Sequence, residues 1–181
     1  MTKIFLLATL ACYTTIGALA QHNHSGHQNQ NTNSKKDTTT KATVLDGSSQ
    51  QQLTQLLSSY YNIKNALVTG DASSAASNAD LFLKIANTID FKVISEGNVQ
   101  ILLKDAGKIS STKDLEKQRE HFADLSSNMA TVAKSLKLDN QPIYLQYCPM
   151  KNAAWLSSEK QIRNPYYGSG MLTCGEVTEA L

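Results

Sequence analysis

From Ser48 onward, apolar positions recur at three- and four-residue steps, the period of a helix that buries one face. Leu53, Leu56, Leu57, Tyr60, Lys64 and Leu67 share such a face and predict a first helix ending at Gly70, a residue free to take the left-handed turn that closes helices. Asp71 follows as an N-cap. Ala72, Ala75, Ala76, Ala79, Phe82, Leu83, Ala86 and Ile89 then form a stripe of small residues that permits close helix approach. A third, shorter helix runs from about Glu96 to Ile109, with Val99, Leu102, Leu103 and Ala106 on one side. Ser111 with Asp114 resembles a capping box for the fourth. Its stripe is Leu115, Gln118, Phe122, Leu125, Met129, Val132 and Leu136, and Lys134 and Lys137 suit the negative end of its dipole. Four amphipathic helices on short links predict an all-α class, an antiparallel four-helix bundle over residues 48–138.

After Asp139-Asn-Gln-Pro142 the period changes. Ile143, Leu145 and Tyr147 alternate with Tyr144 and Gln146, which reads as one short strand. Pro149, Pro165, Gly168, Gly170 and Gly175 then forbid a long helix. Residues 139–181 are therefore expected as an irregular, Cys/Met-containing tail of the same domain, held to the bundle by Trp155 and Leu156.

The N-terminal end is of another character. Lys3, the apolar run Ile4 to Tyr13 and the ending Ala18-Leu-Ala20 predict a secretory signal peptide over residues 1–20, cut after about Ala20. It is too short to span a bilayer, and no other stretch resembles a span. Cys12 fits a lipid-attachment box poorly. Residues 21–47 offer almost nothing apolar to bury and read as a disordered tether. Its His22, His24 and His27 are candidates for weak capture of a divalent ion, against the plainer reading of a solvated linker.

Cleavage lowers the formal charge from +2 to +1 and leaves two of the three cysteines, Cys148 and Cys174. A balanced charge without a basic stripe argues against nucleic-acid binding. In an oxidising compartment, a disulfide is the default for two cysteines. Each, however, has a methionine close by, in Cys148-Pro-Met150 and Met171-Leu-Thr-Cys174. Thiolates and thioethers are the soft donors that select monovalent copper. Closing the loop between Pro149 and Gly170 would bring the pairs together, so Cys148, Met150, Met171 and Cys174 are candidate ligands for Cu(I). His121, beside the fourth helix's stripe, is a candidate nitrogen ligand. Metal and disulfide both remain open on spacing alone.

Tyr147-Cys-Pro-Met150, Ala154-Trp-Leu-Ser157, Ile162-Arg-Asn-Pro-Tyr-Tyr-Gly168 and Met171-Leu-Thr-Cys-Gly175 also carry a resemblance. Together with the helices they resemble a family of bacterial periplasmic domains of unknown function. Its members stand alone or are fused to the periplasmic adaptors of copper and silver efflux systems. The resemblance covers roughly Gln50 to Leu181 and implies a helical bundle with a heavy-metal role. It implies that the four sulfurs are the family's sulfur positions, that Arg119 and Phe122 belong to its fourth-helix pattern, and that an efflux adaptor is a partner. The segment Lys151-Asn-Ala-Ala is short for the family.

No Cys-x-x-Cys, HExxH helix, phosphate-cradling loop or paired carboxylates point to an enzyme. The expected function is periplasmic binding of Cu(I), with Ag(I) as a second cargo, in metal tolerance. The alternatives are an interaction module with a Cys148–Cys174 disulfide, and a thiol redox helper.

Overall fold

The computed structural model describes residues 46–136 and 142–181. The expected signal peptide and the expected tether up to residue 45, with His22, His24 and His27, lie outside the described residues, whereas the tether's last two residues, Asp46 and Gly47, instead cap and begin the first helix. Four helices form where the period places them: α1 (Gly47–Thr69), α2 (Ala72–Ala86), α3 (Glu96–Ser110) and α4 (Leu115–Ser135). Side-chain oxygens satisfy the first free N–H groups of each. Asp46 accepts from Ser49 N at 2.7 Å, Asp71 from Ser74 N at 2.9 Å, and Ser95 from Asn98 N at 3.4 Å. Asp114 itself caps α4, accepting from Glu116 N and Lys117 N at 3.1 and 3.2 Å. The expected Ser111–Asp114 box is thereby corrected, since Ser111 closes α3 instead. Such caps are worth about 1 kcal/mol each. Gly70, at φ 77°, supplies the left-handed residue after α1.

The helices pack in sequence order, each against the next, and α4 also lies on the second strand of a sheet. Tyr60 and Phe122 stack across the core with ring centres 5.2 Å apart. Buried Gln118 donates from Nε2 to Ala72 O at 2.9 Å and Thr112 O at 2.7 Å, tying the start of α2 to the α3–α4 link. No helix among the described residues is long and apolar enough to cross a membrane.

The all-α class with an irregular tail is corrected by the C-terminal region. Its residues form three strands, β1 (Tyr144–Cys148), β2 (Ala153–Ser157) and β3 (Glu176–Ala180), in an antiparallel sheet of order β2-β1-β3. Only β1 shows an alternating sequence. In β2, Trp155, Leu156 and Ser157 are all buried, so burial on both faces removes the period-2 signal. In β3 every residue is exposed, so nothing apolar marks it.

The face of β1 is also reversed from expectation. Gln146 and Cys148 are fully buried, whereas Leu145 and Tyr147 are half-buried. A buried glutamine needs partners. Gln146 finds them by donating from Nε2 to the carbonyls of Glu159, Lys160 and Gln161 at 2.8, 3.3 and 3.3 Å. That amide draws the long β2–β3 connection across the sheet face carrying Gln146 and Cys148, which opposes Trp155 and Ala153 in register.

Side chains of α1 and α4 fasten the sheet and its connection. Leu156 N donates to Tyr60 Oη at 3.1 Å, and that hydroxyl lies 2.7 Å from Ser126 Oγ. Arg119 donates from Nε to Pro165 O at 3.0 Å and from Nη2 to Leu67 O at 3.1 Å. Phe122 meets Tyr166 at 6.0 Å. Lys64 is buried, with Nζ 3.5 Å from Ser157 Oγ and over the Tyr61 ring. Burial holds its pKa below the usual lysine value.

Candidate metal centre

Cys148 ends the central strand, and Pro149 starts a tight turn back into β2. Asn152 N donates to Pro149 O at 3.3 Å, and Asn152 takes φ 53° with its Oδ1 accepting from Tyr147 Oη at 2.7 Å. Asparagine tolerates this conformation better than most residues, which lets the short Lys151–Ala154 segment close the hairpin. The backbone N–H groups of this turn, at Lys151 and Met150, favour the Cys148 thiolate.

Cys174 arrives from the far end of the connection. Its N–H donates to Met171 O at 3.1 Å, and its carbonyl accepts from Asn164 Nδ2 at 2.8 Å. The two thiols, 26 residues apart, lie 3.3 Å apart, sulfur to sulfur, as free cysteines. Met150 and Met171 are local to the pair through the backbone, and their side chains are 65% and 42% exposed, open to an incoming ion.

The two thiols differ in acidity. Burial pushes Cys148 up, but the N–H groups of Lys151 and Met150, the Cys174 thiol and the Asn164 amide together hold it below the ordinary thiol value. Cys174, donating to Cys148 and partly buried beside it, is held above that value. Cys148 is thus the readier thiolate, the form that ligates metals.

Among the described residues, no group of three or more His, Cys, Asp or Glu side chains is placed to hold a metal. His121 is partly buried on α4, next to Phe122, and is not gathered with the thiols. Among the described residues, the methionines are the soft side chains next to the pair in sequence. Behind the pair stand aromatic rings: Trp155 is fully buried and meets Tyr166 edge-on at 5.8 Å. Tyr166 donates from Oη to Ala154 O at 2.6 Å, and burial raises its pKa. Met129, on the α4 stripe, is core.

The sulfur separation limits the chemistry. With metal–sulfur bonds of about 2.3 Å, two sulfurs sharing a tetrahedral or trigonal ion stand roughly 3.8–4.0 Å apart. A disulfide needs about 2.05 Å. From 3.3 Å the pair opens by about half an ångström to admit an ion, and closes by more than an ångström to oxidise.

A family model described as "Protein of unknown function (DUF3347)" matches residues 56–141. The chain carries a domain similar to that family. The DUF3347 match spans most of α1 and all of α2, α3 and α4, and ends just before β1. It covers neither cysteine of the pair. No curated protein and no solved structure matches the chain.

Sequence reasoning missed Asn164 as part of the site. Asn164 stands in the sequence only within the Ile162–Gly168 motif, where Asn-Pro is an ordinary turn opener and gives no sign of a buried amide.

Proposed function

We propose that this protein binds one Cu(I) per chain through the Cys148 and Cys174 thiolates, with the Met150 and Met171 thioethers completing the shell. Its work is to carry or hand over copper, with Ag(I) as a second cargo, in periplasmic metal tolerance. The observation that carries this reading is the 3.3 Å approach of two free thiols, with an exposed methionine on the backbone of each. An all-sulfur donor set is soft and suits a monovalent d10 ion better than Mg(II) or Ca(II). Cu(I) tolerates linear, trigonal or tetrahedral arrangements, so a site that needs only a small opening can hold it. Docking on a heavy-metal efflux adaptor is the delivery route that the sequence resemblance favours. The same approach of the thiols favours a second reading, an interaction module closed by a Cys148–Cys174 disulfide.

Titration of the reduced protein with Cu(I) under anaerobic conditions separates the two. The copper reading expects one equivalent bound per chain, and none after oxidation of the pair. Absence of tight binding by the reduced protein would leave the disulfide reading.

Met150→Leu and Met171→Leu keep side-chain volume and remove the donor. Each is expected to weaken Cu(I) affinity with little change in melting temperature, since both side chains are exposed. Unchanged affinity in both variants removes the methionines from the shell.

A further inference from the structure

We infer that Asn164 is the positioning residue of the thiol pair, holding Cys174 against Cys148. Asn164 is fully buried, and every polar group it has is used. Its N–H donates to Leu172 O at 2.8 Å, and its carbonyl accepts from Gly168 N at 3.1 Å. Its Oδ1 accepts from Tyr166 N at 2.8 Å. Its Nδ2 donates to Cys174 O at 2.8 Å, so one side chain fixes both the N–H of Tyr166 and the carbonyl of Cys174.

These bonds explain how a loop of low regularity presents a cysteine within 3.3 Å of a strand residue. Leu172 and Cys174, flanking the Met171–Cys174 turn, are both tied to one side chain and its backbone. Without that tie, Cys174 keeps its local turn to Met171 and, two residues on, the pairing of Glu176 with Tyr147. Tyr166 N and Cys174 O also fix the amide's orientation, because a donor faces Oδ1 and an acceptor faces Nδ2. Asparagine is therefore specifically required. Aspartate has the same shape and accepts from Tyr166 N equally well, but an ionised carboxylate has no hydrogen to give to Cys174 O. The inference rests on the copper reading for its consequence and on the thiol geometry for its substance.

Asn164→Asp is the deciding variant, with Asn164→Ala as a second that introduces no charge. Two readouts are taken on the full chain after circular dichroism confirms the helices. The first needs no copper. The reduced apoprotein is treated with glutathione disulfide, whose sulfurs take up the electron pair as two thiols form on glutathione and one disulfide forms in the protein. In the wild type, ring closure outruns accumulation of the mixed disulfide, as follows from the proximity of the thiols. In the variants, closure is expected to slow by about tenfold or more, with protein–glutathione adduct accumulating in the mass spectrum. The second readout is Cu(I) affinity by competition with a chromogenic chelator, expected to fall about 10–100-fold, the range for residues that orient metal ligands. Slowed closure in the variants, beside a wild type that takes up no copper, would uphold the positioning role and remove the copper reading. Closure at the wild-type rate in both folded variants overturns the inference, whatever copper does.

Discussion

Cys148→Ser is expected to lower Cu(I) affinity by at least about 100-fold, beyond the usual effect of altering a group that merely orients a ligand. Cys148 is the fully buried member of the pair, at the end of the central strand, and the thiol that its surroundings hold below the ordinary value. Serine is close to cysteine in shape, so the fold is expected to persist. Its hydroxyl is a hard donor that stays protonated, and a monovalent copper ion gains little from it. Competition titration and thermal melting of the same sample give both answers. Tight one-to-one binding retained by Cys148→Ser would place the ion elsewhere in the chain.

Gly175→Ala is expected to destabilise the protein by about 2–4 kcal/mol, from strained backbone and overpacking together. Gly175 has φ 143°, a region that residues with a Cβ avoid. A Cβ there would lie 2.9 Å from Trp155 Cη2 and 2.9 Å from Tyr147 O, with Ile162 Cγ2 at 3.4 Å. Neither close neighbour yields easily: the indole is fully buried, and Tyr147 lies in β1, the central strand. Relief must come from the chain around residue 175, which moves Cys174, so copper affinity is expected to fall with stability. The check is a thermal or denaturant melt beside a copper titration. A melting temperature equal to the wild type's would show that this crossing is looser than the packing implies.

The helical half was legible because its signals are local. Stripes at helical spacing, Asp71 before α2 and Gly70 after α1 each depend on neighbours within a turn or two of chain. The boundaries moved only where side chains compete with the helix, as where Asn87 Nδ2 donates back to Leu83 O and α2 ends at Ala86, short of Ile89. The sheet was not legible, since its pairing joins segments with opposite appearances. β2 is buried on both faces, and β3 is exposed throughout and held by β1 and by the Lys134–Glu179 ion pair. A buried polar residue misled most. Gln146 reads as an outward position, yet its amide anchors the connection that delivers Cys174.

At the site, the four sulfur positions could be read from composition and spacing alone. The residues that make two of them neighbours could not. Arg119 crosses from α4 to Pro165 O and Leu67 O, and Gly168 must lack a Cβ because one would lie 2.5 Å from Arg119 Nη2. Asn164 then sets the last turn before Cys174. Arg119 acts across 46 and 52 residues through backbone carbonyls, which carry no side-chain signature. His121 has the opposite lesson: a suggestive residue type on an informative helix is not gathered with the thiols.

X-ray absorption at the copper edge of the Cu(I)-loaded, reduced protein tests the central claim most directly, because it counts the neighbours of the ion by element and distance. The account predicts a shell of sulfur alone at about 2.3 Å, losing a neighbour in Cys148→Ser. A shell dominated by nitrogen or oxygen, or one unchanged by that substitution, would contradict it.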